Sequence, residues 1–161
     1  MSNQLVQKMK IISGLNPLDS TGAAANGDYI SLKNSHHVTI IIKWGVSLVA
    51  TQAITLTQAT SVAGAGAKAL SFTKTWVNAD TTSSDAFVKT TVTSDTYDKT
   101  AASQQIHVIE IDASQLDVEN GFDCIRVNLE SPGANATLQD ITYIASRLRH
   151  ASTNPNAQIT D

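Results

Sequence analysis

Cysteine occurs once in the 161 residues, at Cys124, so no intrachain disulfide can form. Cys124 sits in an apolar strand pattern rather than an electropositive loop and reads as a buried, inert thiol. Charge is scarce too: 16% of residues are ionic, and the net charge is -3. A protein that grips a phosphate backbone needs a Lys/Arg surplus gathered on one face; none is visible here, so no nucleic-acid partner is expected. The longest apolar stretch, Val38 to Trp44, is broken by Thr39 and Lys43 and is far too short to cross a bilayer. No membrane partner is expected either. The start, Met1-Ser2-Asn3-Gln4, lacks the cationic and apolar regions of a signal peptide, which points to synthesis in a reducing cytoplasm and leaves later release by cell lysis open.

Residue sets that perform chemistry are equally thin. His36 and His37 are adjacent, and neighbouring strand residues point to opposite faces, so they cannot easily grip one metal together. His107 lies among apolar neighbours, where a hydrogen-bonded imidazole is the ordinary outcome, and His150 stands alone. Glu110, Asp112, Asp117, Glu119 and Asp123 form an acidic run, but Leu116 and Val118 occupy places where calcium ligands would fall, so the run reads as a solvated edge or a docking patch for a basic partner. No Gly-x-Ser-x-Gly elbow exists, and Gly64-Ala65-Gly66 lacks the Lys-Ser/Thr pair and following helix of a phosphate loop. Asn135-Ala136-Thr137 matches a glycosylation acceptor by chance. No catalytic residue, metal ligand or cofactor is assigned, and the chain reads as non-catalytic.

What remains is β-structure. With 42% hydrophobic residues the chain can bury one core. From Asp28 to His150, short runs of Ile, Val and Thr alternate with polar residues, and Gly, Ser, Asn and Asp fill the gaps. Tyr29 to Lys33, Val38 to Trp44, Ala53 to Thr60, Leu70 to Trp76, Phe87 to Val92, Gln105 to Ile111, Phe122 to Leu129 and Leu138 to Leu148 read as strands. Ser61 to Ala67 reads as a loop tip of small residues, Thr93 to Ser103 as a polar connection, and Ala113 to Leu116 as one helical turn, with Asn120-Gly121 a turn signal. About eight or nine strands at this spacing suit a sandwich or barrel, and the pattern favours a single jelly-roll-like antiparallel β-sandwich. The expected divisions are an extended N-terminal arm and loop over 1–27, the sandwich over 28–150 and a polar tail over 151–161. Leu5 to Ile12 can be a first strand or an arm on a neighbour; if extended, Leu5, Met9 and Ile11 share one face.

The five larger aromatics, Tyr29, Trp44, Trp76, Tyr97 and Tyr143, could form a sugar-stacking platform. Trp44 and Tyr143 fall within apolar stripes and suit packing, whereas Trp76 and Tyr97 adjoin polar loops and are the candidates for exposed contacts.

Several phrases resemble the decoration or cement proteins on the heads of tailed bacteriophages. They are Asn3-Gln4-Leu5-Val6-Gln7-Lys8-Met9 with Gly14-Leu15-Asn16-Pro17, Tyr29-Ile30-Ser31-Leu32-Lys33-Asn34, Val38 to Gly45, Gln105 to Ala113, Gly121-Phe122 and Ile125-Arg126-Val127. The middle, Ala50 to Ser103, matches no phrase of that family. The resemblance implies a virion structural protein, made in the host cytoplasm, that binds the major capsid protein outside the shell and cements neighbouring capsomers. The implied shell-facing residues are Leu5, Val6, Met9, Ile11, Ile12, Arg147 and Arg149. A homo-oligomer is expected, as a dimer or a trimer. The alternative is a recognition module of a phage tail or fibre that binds host carbohydrate through Trp76 and Tyr97.

Overall fold

The computed structural model describes residues 5–47, 49 and 51–149. The polar tail over 151–161, His150 and residues 1–4 of the arm lie outside the described residues. Chain order is α1 (Leu5–Lys8), β1 (Lys10–Asp19), β2 (Ala25–Asn26), β3 (Ile30–Ser31), β4 (Ser35–Ser47), β5 (Gln52–Ala59), β6 (Lys68–Ala69), β7 (Lys74–Asn78), β8 (Val88–Thr91), β9 (Thr96–Lys99), β10 (Gln105–Asp112), β11 (Cys124–Leu129) and β12 (Thr137–Leu148). Two short 3-10 turns, Ala113–Gln115 and Val118–Asn120, separate β10 from β11.

The strands form a jelly-roll-like antiparallel β-sandwich. The larger sheet runs β1-β12-β4-β10-β7-β8. The smaller runs β2-β11-β5-β6, with β3 also pairing β11 and β9 also pairing β5. Period-two alternation explains the layering. In β4, Val38, Ile40, Ile42 and Trp44 are buried while the residues between them face outward, and β12 repeats this with Ile141, Tyr143 and Ala145. Ile54 and Leu56 of β5 and Ile125, Val127 and Leu129 of β11 oppose them from the other sheet. Cys124 points away from this core into a small cluster with Tyr29 and Ala59.

Tyr143 ties the layers together. Its hydroxyl accepts a hydrogen bond from the Val127 backbone N–H at 3.0 Å, across the interior. Two glycines make room for the ring: a Cβ on Gly14 would overlap Tyr143 Cε2, and one on Gly27 would lie 2.8 Å from the hydroxyl oxygen.

Within residues 5–27 the chain takes the first-strand alternative from Lys10 onward rather than that of an extended arm. Lys10–Asp19 is an edge strand, paired with β12 from Lys10↔Ala145 to Asp19↔Leu138 with two register shifts. Within it Ile12 is the buried residue and Ile11 the exposed one, so the shell-facing assignment of Ile12 is corrected: pairing register sends it into the core. Leu5 to Lys8 is a helical turn rather than extended chain. Ala25–Asn26, inside the expected loop, adds to β11. Leu70 to Trp76 is not one strand, because Leu70 and Phe72 sink into the core ahead of β7. The connection over Thr93 to Ser103 contains β9, whose polar sequence carries no strand signal and which is held by pairing with β5.

Tyr143→Phe is expected to cost about 1–3 kcal/mol, since it leaves the buried Val127 N–H without an acceptor. Gly14→Ala is expected to cost a similar or larger amount by overpacking. Urea denaturation of the two variants checks both.

Candidate functional site

The expected contact residues gather unevenly. Leu5 and Val6 are exposed on α1, which lies against β1 and β12. Ile11 is exposed and pairs across to Ile144. Met9 is half-buried beside them. Arg147 and Arg149 follow Ala145, the partner of Lys10, so the start of the chain and both arginines share one end of the larger sheet. Arg147 turns the chain there with φ 52, in the left-handed region, and the Arg149 N–H donates to Asn34 O at 2.9 Å.

This end is electrostatically mixed. Arg147 Nη1 lies 3.5 Å from Asp112 Oδ1, Lys33 pairs with Asp123 at 3.6 Å, and Lys68 pairs with Asp117. The hydrogen bond from Lys68 holds the Asp117 carboxyl below its ordinary value. Asp112, Asp117 and Asp123 of the acidic run are therefore matched by bases from other elements. Open grooves of about 550 and 340 Å³ flank it, lined on one side by Arg149, His36 and Glu119 and on the other by Arg147, His37 and Glu110. Among the described residues no three His, Cys, Asp or Glu side chains are grouped to hold a metal.

The two aromatic candidates separate. Trp76 is half-buried on the outer face of the larger sheet, with Lys74 Nζ 5.1 Å from its ring centroid. Tyr97 is corrected from an exposed contact to an interior one: it packs against the core, stacks on His107 at 5.7 Å and hydrogen-bonds His107 Nδ1 at 2.9 Å. Burial raises its phenol above the ordinary value. Pairing of β9 with β5 turns the ring between the sheets, a contact that its polar neighbours in sequence do not signal.

Tyr97 leads into a buried polar network. His107 Nε2 donates to Gln105 Oε1 at 2.9 Å, and Gln105 Nε2 donates to Ala101 O at 2.5 Å, which fixes the imidazole tautomer: Nδ1 accepts from Tyr97. Lys99 is fully buried, and its ammonium donates to Val49 O and Ala101 O at 2.6 Å each and to Ser47 Oγ at 3.4 Å. Burial lowers its pKa. Trp44 Nε1 donates to Gln52 Oε1 at 2.9 Å and approaches Gln139 Oε1 at 3.2 Å. Lys99, Gln52 and Gln139 were not legible as partners, because they meet only through pairing of distant strands. His107 alone had a signal, its place in phase with Ile109 and Ile111.

No family model matches this chain, and no curated protein matches it. Among solved structures, the SPBc2 prophage-derived protein YomS is similar with a TM-score of 0.47 and 13% identity, over 84% of this chain and 92% of that one. The CBM22-1–GH10 modules of Clostridium thermocellum endo-1,4-β-D-xylanase 10B, crystallised with xylohexaose, are similar with a TM-score of 0.35 and 9% identity. That match covers 88% of this chain and 26% of the xylanase chain. Likenesses of this strength assign no activity.

Burial, and secondly the Lys99 charge, push His107 down from 6.5 to about 4. Between those values the unfolded chain binds a proton that the folded protein refuses, so stability falls as pH drops through this window and the loss levels off below it. The full effect is about 3 kcal/mol. Urea midpoints taken from about pH 7 to about pH 4 should show this fall, and His107→Gln should flatten it.

Proposed function

We propose that this chain is a non-catalytic structural protein of a tailed-phage particle, binding the outside of the capsid shell and cementing neighbouring capsomers, with the major capsid protein as its partner. The observation that carries the reading is where the exposed apolar side chains lie. Of nine large ones among the described residues, Leu5, Val6, Ile11, Leu18 and Leu138 fall on α1, β1 and β12, along one edge of the larger sheet. A row of this kind suits burial against a broad protein surface, whereas a small ligand calls for a concave pocket. Arg147 and Arg149 close one end of the row and supply the side chain most suited to interface ion pairs. A modest contact repeated over many shell sites holds by avidity. The sequence resemblance to head decoration proteins supplies the identity of that surface.

The carbohydrate alternative draws no comparable support. Trp76 lies on the outer face of the larger sheet, whereas Tyr97, on β9 of the smaller sheet, packs between the sheets, so they offer no shared stacking platform.

Co-sedimentation with phage heads lacking the protein, across a salt series, tests the proposal. Saturable, stoichiometric binding with a shallow salt dependence is expected. The combined variant Leu5→Asp, Val6→Asp, Ile11→Asp should weaken binding at least about tenfold, with an unchanged melting temperature because all three side chains are exposed. Absence of wild-type binding to the heads overturns the reading.

A further inference from the structure

The opposite edge of the larger sheet is built differently. Every residue from Thr82 to Thr91 is exposed, and two of them are apolar and large: Phe87 is 44% exposed and Val88 68%. Within this stretch β8 pairs only with β7, in unbroken register from Val77↔Val88 to Lys74↔Thr91. Its outer side therefore presents backbone N–H and C=O groups with no partner strand among the described residues. Edge strand β1 carries Pro17 and two register shifts, β2, β3 and β6 are only two residues long, and β9, as long and regular as β8, exposes no large apolar side chain. Edge β8 has no proline and no bulge.

The segment that leads into this edge, whose residues 85–87 precede β8, is complementary to itself. Laid antiparallel on a second copy about Phe87, the segment Asp85-Ala86-Phe87-Val88-Lys89 sets Asp85 opposite Lys89, Ala86 opposite Val88 and Phe87 opposite Phe87. Directly opposed residues share a face, so two ion pairs flank an aromatic pair on one side of the ribbon, with two small apolar pairs on the other. Moving the register to centre on Lys89 instead opposes two like charges, and centring on Val88 leaves both charges without opposite numbers. Neither Asp85 nor Lys89 has an ion-pair partner among the described residues.

We propose that a second copy of this chain pairs antiparallel along the segment from Asp85 to Lys89 and the start of β8, giving a two-fold dimer in which the two larger sheets become continuous. The axis passes beside Phe87, and the interface is isologous. Because β1 and β8 end the same sheet on opposite sides, the dimer leaves the Leu5 to Ile11 edge free. This inference rests on the β8 edge alone and not on the shell-binding reading.

Sedimentation equilibrium of the full chain, loaded at up to about 100 μM to reach a modest affinity, gives the test. Twice the chain mass is expected. Lys89→Glu and Asp85→Lys should each weaken the dimer at least about tenfold, since each places like charges opposite one another twice across the axis. The double charge swap, Asp85→Lys with Lys89→Glu, should restore it. Circular dichroism of the variants, whose altered side chains are exposed, verifies that they remain folded. A monomeric wild type, an oligomer indifferent to the single charge reversals, or a charge swap that stays monomeric overturns the proposal.

Discussion

The offset between the layers at β11 and β12 depends on the hydrogen bond from the Val127 amide to the Tyr143 hydroxyl, which crosses between the sheets as the Trp44–Gln52 and Tyr97–His107 bonds do elsewhere. Apolar contact alone holds two sheets together without fixing how one slides on the other, because hydrophobic attraction is not directional. A buried phenol that must satisfy its hydroxyl, and a buried amide that must find an acceptor, together select one offset. Gly14 and Gly27 sit where the ring needs space, so the route of the chain through β1 and out of β2 is set by the same side chain. The Gly27 N–H in turn donates to Val127 O at 2.8 Å, placing three elements around one contact.

Polar groups dominate a second part of the interior. Two hydrogen-bonded groups form here without opposed charges: Tyr97, His107 and Gln105, which shares the Ala101 carbonyl with Lys99, and Trp44 with Gln52 and Gln139. All three Lys99 acceptors are neutral oxygens, two of them backbone carbonyls of the segments that flank β5 and β9. Burying an ammonium without a carboxylate is tolerated when its donors are satisfied, and here it pins the chain after β4 to the chain after β9. The arrangement makes the neighbouring imidazole resist a proton, so interior electrostatics and pH response have a common origin.

Against this fixed interior, the two outer edges of the larger sheet diverge. The β1 edge has an irregular ladder, a helical turn laid against it and apolar side chains that point outward. The β8 edge has a regular ladder and, among the described residues, no partner strand on its outer side. Side-chain burial is what the first offers a partner, and main-chain pairing is what the second offers. A protein whose six-stranded sheet ends in two unlike surfaces can meet two unlike neighbours at once.

Period-two alternation made β4, β5, β10, β11 and β12 readable from the residues themselves, since half-buried strands must place every second side chain inward. The inward set Val38, Ile40, Ile42 and Trp44 followed directly, as did the turn at Gly121, where φ is 81. Weakly patterned segments were not readable. β9 is polar yet paired, Ile12 went from an expected contact to the core with the register of β1, and Tyr97 turned from a loop neighbour into an interior ring. The sequence by itself determined the all-β class, the main strands and their buried faces, because those depend on local alternation. Tertiary structure decided which edges stay open, which polar groups meet around Lys99 and His107, and how the arm folds back as an edge strand. Each of these is a contact between residues far apart in the chain, so no local pattern encodes it.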